Sequence, residues 1–344
     1  MGNMESVCVK LRLNWVDYAK AIAITFVIIG HVSTRNNLSD WIYSFHMPLF
    51  FFLSGITLKA SRGGYKAFIR KLVKRLLLPY VLYSLLNFAL NVAKVVLLHN
   101  NINLIHNLMG IIVQMRGTEF SLGVWFLPLL FLSEALIYPL VLLKKWTQYI
   151  FMLVLLGIGF VYSAVIHQVL PWGLDVVPFA SFFIWLGYQY KNAISVETIK
   201  VPKVLCSFIC IVLLMVNIIT GRWNNELIGY SVDMYVMRYG NPVLYLITAI
   251  TGIGFILAIC RNLINNLDLN ALKYIGQNTL HIYGIHGLVI AIIRAVKEKV
   301  IGTNVFETIP EQLLISVAVL AISLCLIYWT RFVSRKVVNW RYQI

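Results

Sequence analysis

Ten apolar stretches, most of them about 18 to 25 residues long and each closed by polar residues, constrain this chain more than any other feature. A helix of that length crosses roughly 30 Å of hydrocarbon, whereas soluble folds seldom repeat such runs. The stretches lie near 15–33, 41–58, 76–98, 122–143, 149–166, 176–190, 203–220, 242–260, 274–293 and 312–332. Across all 344 residues only 12% are charged and 60% are hydrophobic, too few charges to cover a soluble globule of this size. The expected fold is all-α: one polytopic membrane domain over 1–344 with about ten transmembrane helices. The longest polar stretches, 99–121 and 221–241, are expected to be connecting loops.

Charge sets the orientation. With the N-terminus inside, 20 of the 29 Lys and Arg residues fall on the cytoplasmic side and 7 on the outer side, so both termini are expected in the cytoplasm. The formal charge of +16 is then mostly topology signal, and no nucleic-acid partner is implied. The N-terminal segment lacks an apolar core and a cleavage site, so the first span is expected to act as its own insertion signal. The five cysteines, Cys8, Cys206, Cys210, Cys260 and Cys325, show neither C-x-x-C nor Cys/His ligand spacing, and no metal site is indicated.

Ionisable groups inside apolar spans are costly and face interior cavities or polar pathways. The first two spans contain Asp17, Lys20, His31 and His46. Eleven residues separate Lys20 from His31, close to three helical turns, so the two share a face and stand about 16 Å apart along it. Asp17 precedes Lys20 by three residues, at a spacing that allows pairing. Lys20 also lies close enough to the helix start to snorkel to headgroups. A histidine with a reference pKa near 6.5 suits proton transfer from a hydroxyl at neutral pH. After the second span come seven cations, Lys59, Arg62, Lys66, Arg70, Lys71, Lys74 and Arg75. The last four recur at helix spacing and form a basic face that suits either anionic headgroups or the phosphates of a soluble cofactor. Glu134, inside the fourth span, requires a cation or a histidine as partner, and His286 is a further intramembrane candidate. Trp125 offers an apolar platform for a sugar ring or an interfacial anchor. His281, Arg116, Asp175 and Asp233 are weaker candidates.

These residues fall in a familiar order. Asp17-x-x-Lys20 is followed by Gly30-His31, then Phe45-His46-Met47-Pro48-Leu49-Phe50-Phe51-Phe52-Leu53-Ser54-Gly55, then the basic cluster running into Arg75-Leu-Leu-Leu-Pro79-Tyr80. Val124-Trp125-Phe126-Leu127 and Ile275-Gly276-Gln277-Asn278-Thr279-Leu280-His281-Ile282-Tyr283-Gly284-Ile285-His286 complete the set. In this the chain resembles the integral-membrane acyltransferase family three, within it the fucose 4-O-acetyltransferase-like and capsular polysaccharide O-acetyltransferase branch. The resemblance implies a multi-pass enzyme of the bacterial inner membrane. Its donor would be acetyl-CoA or another short acyl-CoA, and its acceptor a hydroxyl of a surface glycan, free or polyprenyl-linked. It carries the family's basic-x10-His element onto Lys20 and His31, as catalytic residues with Asp17 and His46. Its arginine-rich element falls on Arg70, Lys71, Lys74 and Arg75, as donor-binding residues, although Arg70 and Arg75 are separated by four residues where the common form has two between its arginines. Trp125, Glu134 and His286 are the candidates for substrate contact. A secondary transporter or flippase for a glycan or small anion is the competing class, since intramembrane His, Lys, Asp and Glu also build relays.

Overall fold

A computed structural model describes residues 13–59, 61, 63–98, 104–118, 123–194 and 202–341, with side chains left out of account at 93–98 and 333–341. Cys8 and Arg62 lie outside the described residues. Among those described, every regular element is helical, apart from one isolated bridge between Asp233 and Arg238. The chain runs through α1 (Asn14–Val32), α2 (Asn37–Tyr43), α3 (His46–Thr57), α4 (Gly64–Leu72), α5 (Leu78–Leu98), α6 (Leu104–Val113) and α7 (Phe126–Leu140). It continues through α8 (Lys145–Val165), α9 (Val177–Ile194), α10 (Lys203–Ile228), α11 (Pro242–Ala258), α12 (Asn270–Gln277), α13 (Thr279–Ile301) and α14 (Ile309–Arg341). A helix occupies each of the ten predicted stretches, and seven among the described residues are long and apolar enough to cross a membrane. The protein is a multi-pass membrane protein.

The three stretches outside those seven are the inner ones. α3, with 12 residues, α7, with 15, and α9, with 18, are buried along most of their length. Long helices such as α8, α10 and α14 instead present exposed Leu, Val and Ile side chains outward. Lipid is as apolar as those side chains, so outward-facing hydrophobic surface costs nothing there, while every backbone group stays satisfied within its helix. Packing inside the bundle rests on close backbone approach. A Cβ added to Gly55 of α3 would stand 1.9 Å from the Ile184 carbonyl oxygen of α9, and one added to Gly187 of α9 would stand 2.0 Å from the Phe52 oxygen of α3. Each helix thus supplies the hole for the other's backbone, the small-residue mode of helix association in membranes.

Four departures from the sequence expectation shape the site. The stretch 41–58 is two helices, because Ser44 Oγ donates to the Trp41 carbonyl (2.7 Å) and Phe45 turns to φ −148°, seating its ring against Gly252 of α11. A hydroxyl that takes a helix carbonyl offers the backbone an alternative to the ladder. His46 thereby becomes the first residue of α3. The basic stretch after α3 is also helical: α4 runs into α5 through a π-helical turn at Val73–Leu77. The ninth stretch breaks at Asn278 between α12 and α13, where the Asn278 amide donates to the Tyr274 carbonyl (2.7 Å). Finally, the two expected loops are partly helical, 104–113 forming α6 and α10 continuing to Ile228 before the left-handed Gly229 (φ 69°) ends it.

Candidate active site

α1 carries the site along one face. Lys20 and Val27 line a cavity of about 820 Å³ shared with α3, α7, the π turn and α13. The order along these helices gives the cavity a direction. At the level of Lys20 stand Ser54 and Thr57 from α3, Arg75 from the π turn and Glu134 from α7, while Val27, Phe50, Phe126 and Tyr283 form an apolar stretch leading toward His31. Glu134 is almost fully buried, accepts from Ser54 Oγ (2.5 Å) and forms an ion pair with Arg75. The intramembrane carboxylate therefore has the cation it requires. All four expected basic residues are exposed, and of them Arg75, about half exposed, also lines this cavity and reaches Glu134. A π turn adds a residue to each turn, so Arg70 and Arg75, five apart, stand nearly as residues four apart do in an α-helix.

Beyond Val27 by one turn is His31. Its Nδ1 lies 2.8 Å from His286 Nε2 on α13, with the two rings stacked at 5.0 Å between centroids and 21° between planes. His286 is buried, and its Nδ1 lies 2.7 Å from the Tyr283 carbonyl and 3.2 Å from that of Ile282. Carbonyls accept only, so in the neutral ring His286 Nδ1 carries the proton and its Nε2 a lone pair. That lone pair accepts from His31 Nδ1, and in the neutral ring His31 Nε2 is left unprotonated. A backbone-anchored histidine thus fixes the tautomer of an accessible one. His46 is held comparably: Nδ1 donates to the Ile42 carbonyl (2.9 Å), and the ring meets the face of Tyr43 edge-on at 5.1 Å. Arg294 of α13 donates to the His31 carbonyl (2.9 Å) and pins the end of α1.

Asp17 is buried at the other end of α1, where Gln277 Nε2 donates to its Oδ2 (3.4 Å) and Gly276 of α12 packs against its backbone. Trp125 is buried. Arg116 lies over its ring at 5.4 Å and Tyr235 meets it edge-on at 5.4 Å, so its surface is occupied by protein and is not open as a platform for a sugar. Arg116 also makes a bidentate pair with Asp175 and donates from Nε to the Tyr235 carbonyl (2.8 Å). Two residues ranked as weak candidates in the sequence therefore form a buried ion pair that closes this end of the bundle. Sequence reasoning gave no role to Arg294 or to Tyr283, which donates toward the Gly123 carbonyl (3.4 Å) and receives the Phe126 N–H (3.2 Å), holding the start of α7 beside the cavity.

Nodulation protein NolL of Mesorhizobium japonicum is 24% identical to the chain over 231 residues, which covers 62% of this chain. The alignment spans 57% of the NolL protein's own length. No solved structure matches the chain. The type 3 acyltransferase family model, described as "Acyltransferase domain", matches residues 13–328, a span that includes both histidines of the pair. With that match over most of its length, on a bundle of apolar helices, the chain belongs to the type 3 acyltransferase family.

Proposed function

We propose that the protein is an O-acyltransferase of the bacterial inner membrane that moves an acetyl group from acetyl-CoA to a hydroxyl of a surface glycan. The observation that carries this reading is the His31–His286 pair, which leaves a lone pair on His31 Nε2 one helical turn beyond Val27, where α1 borders the cavity that holds Lys20 and Arg75. The charge bias puts the Lys20 end at the cytoplasm, where a polyanionic nucleotide can be held by Arg70, Lys71 and Lys74 through charge-assisted bonds while remaining in water. The slim acyl-bearing arm then enters past Arg75 and Lys20 and covers the remaining ~16 Å to His31 within the passage. At that distance Lys20 serves the donor path, held there with Asp17 one turn away, and is too far to stabilise charge on the reacting carbonyl.

In the transfer step the acceptor oxygen attacks the thioester carbonyl carbon as its proton passes to His31 Nε2. The C–S bond breaks as the C–O bond is kept, and the proton on His31 passes to the departing sulfur, giving the ester and free thiol. While His31 is an imidazolium, its Nδ1–H bond to His286 becomes charge-assisted and strengthens, so the pair stabilises the charged species more than the resting one. His46 holds the neighbouring backbone turn and stands on the acceptor side of His31.

The test is the O-acetyl content of surface glycan from cells lacking the gene, complemented with the native chain or with His31→Ala at matched membrane abundance. Restoration by the native chain alone supports the reading. Unchanged acetylation in all strains, or glycan flux without acylation, overturns it in favour of transport.

A further inference from the structure

A second, polar recess is lined by residues on either side of His31 in the chain, Gly30 and Ser33. It measures about 390 Å³ and is lined by Gly30, Ser33, Arg35, Asp40, Tyr43 and Asp233, with Ser39 at its edge. Gly30 precedes His31 in the chain, and Tyr43 is the residue whose ring receives His46. The recess thus meets the chain at Gly30 and Ser33, around His31, and the donor cavity meets α1 at Val27, one turn before His31.

We propose that this recess binds one pyranose ring of the acceptor glycan and presents its hydroxyl to His31. The inference rests on the acyl-transfer reading above and names where its acceptor sits. The chemistry of the lining selects the ligand class. Among the lining side chains Arg35 stands against Asp40 and Asp233, so the recess offers no unopposed cation that would select phosphate or another anion. The lining combines donors (Arg35, Ser33, Ser39, Tyr43) and acceptors (Asp40, Asp233) with one aromatic ring, the combination that a neutral polyol with many hydroxyls can satisfy. Among the described residues Ser33 Oγ, on the lining, has no hydrogen-bond partner, and the Tyr43 hydroxyl has a long 3.4 Å contact to the Gly30 carbonyl. A buried hydroxyl without a partner is costly, and a ligand hydroxyl would remove that cost.

The recess is also held in shape before any ligand arrives. Arg35 donates to Ser231 Oγ and to the Ser231 carbonyl, both at 3.0 Å, and stands 3.4 Å from Asp40. Asp233 Oδ1 receives the Tyr235 N–H (2.8 Å), and its backbone pairs with that of Arg238. Asn36 caps α2 through the backbone N–H groups of Leu38 and Ser39. Fixed polar groups spend no ordering entropy on binding.

The experiment titrates the full-length chain in detergent with O-deacetylated surface glycan from cells that carry the gene, and separately with acetyl-CoA, reading the shift of the melting midpoint. Native protein is compared with Asp233→Asn and Tyr43→Phe, and with Ser33→Ala should either of these fail to fold. The expected result is an apparent glycan Kd weakened by about tenfold or more in each variant, as loss of one well-placed hydrogen bond predicts, with the acetyl-CoA Kd within twofold of native. Glycan binding equal to native in the variants, or no glycan binding by the native chain, overturns the assignment of the recess. Glycan binding that the variants lose, in a protein that neither binds nor consumes acetyl-CoA, keeps the recess and removes the acyl-transfer reading instead.

Discussion

Replacing His286 by Phe removes the acceptor of the His31 Nδ1–H bond while keeping a ring of similar size in the buried site. In the resting enzyme that 2.8 Å bond joins two neutral rings and contributes about 1 kcal/mol. Once His31 has taken the acceptor's proton, the same bond is charge-assisted and contributes roughly 1.5–3 kcal/mol. The difference, roughly 0.5–2 kcal/mol, is lost from the transition state alone and amounts to about twofold to thirtyfold in rate. Without His286 the proton of neutral His31 is also no longer confined to Nδ1, so part of the population presents an N–H where the acceptor hydroxyl requires a lone pair. Together these effects predict a kcat lower by roughly tenfold to a hundredfold with the KM for acetyl-CoA unchanged. His286→Gln, whose amide oxygen reaches about as far as Nε2, is expected to recover part of the loss. The assay is thiol release from acetyl-CoA with deacetylated glycan as acceptor, on detergent-purified protein of matched melting midpoint. A kcat for His286→Phe within twofold of native would refute the argument that His286 positions the base.

Three further outcomes are expected. Gly187→Ala forces a Cβ to within 2.0 Å of the Phe52 carbonyl oxygen and should cost about 1–3 kcal/mol, seen as a lower melting midpoint, whereas Gly157→Ala, with no atom within 4 Å, should cost nothing. Arg116→Ala leaves the buried Asp175 carboxylate without its cation and should destabilise the protein by about 3–5 kcal/mol in denaturant unfolding, with Asp175→Asn in the same chain recovering part of it. Burial pushes the Asp233 carboxyl up from the ordinary carboxylate range, against the pull of the Tyr235 N–H and of Arg35, Arg238 and Arg116. Protonation of Asp233, which faces Tyr43 and Asp40 across the recess, then begins nearer neutrality and removes an acceptor from it. As pH falls, the acceptor KM should rise in native protein at a higher pH than an ordinary carboxylate would set, and stay flat in Asp233→Asn. A parallel profile in both proteins would exclude Asp233 as the titrating group.

Much of this architecture was legible in the sequence because the bilayer imposes one length scale on every spanning helix. Helices occupy all ten apolar stretches, and Lys20 lines the cavity beside α1 while His31, eleven residues on, pairs with His286. The requirement that Glu134 find a cation or histidine was also sound, since an isolated carboxylate in hydrocarbon is prohibitively costly. Arg75 as that cation was not legible, because it depends on a π turn whose extra residue leaves no periodic signature. The break at Ser44–Phe45 escaped notice for a related reason: an apolar run reads as continuous, and the seat for the Phe45 ring is Gly252, more than two hundred residues away. The pairing of His31 with His286 spans 255 positions and obeys no local spacing rule, so both residues could be nominated singly but not joined. Trp125 shows the opposite failure. The sequence left it as a sugar platform or an interfacial anchor, and only tertiary structure reveals Arg116 lying over its ring.

The most direct measurement of the central claim is transfer of radiolabelled acetyl from acetyl-CoA to deacetylated surface glycan by the purified full-length chain in lipid vesicles. It is run with native protein and with His31→Ala at equal folded amount. The account predicts labelled glycan and stoichiometric free thiol with the native chain, and neither above background with His31→Ala. Labelled glycan at the native rate from His31→Ala would contradict it.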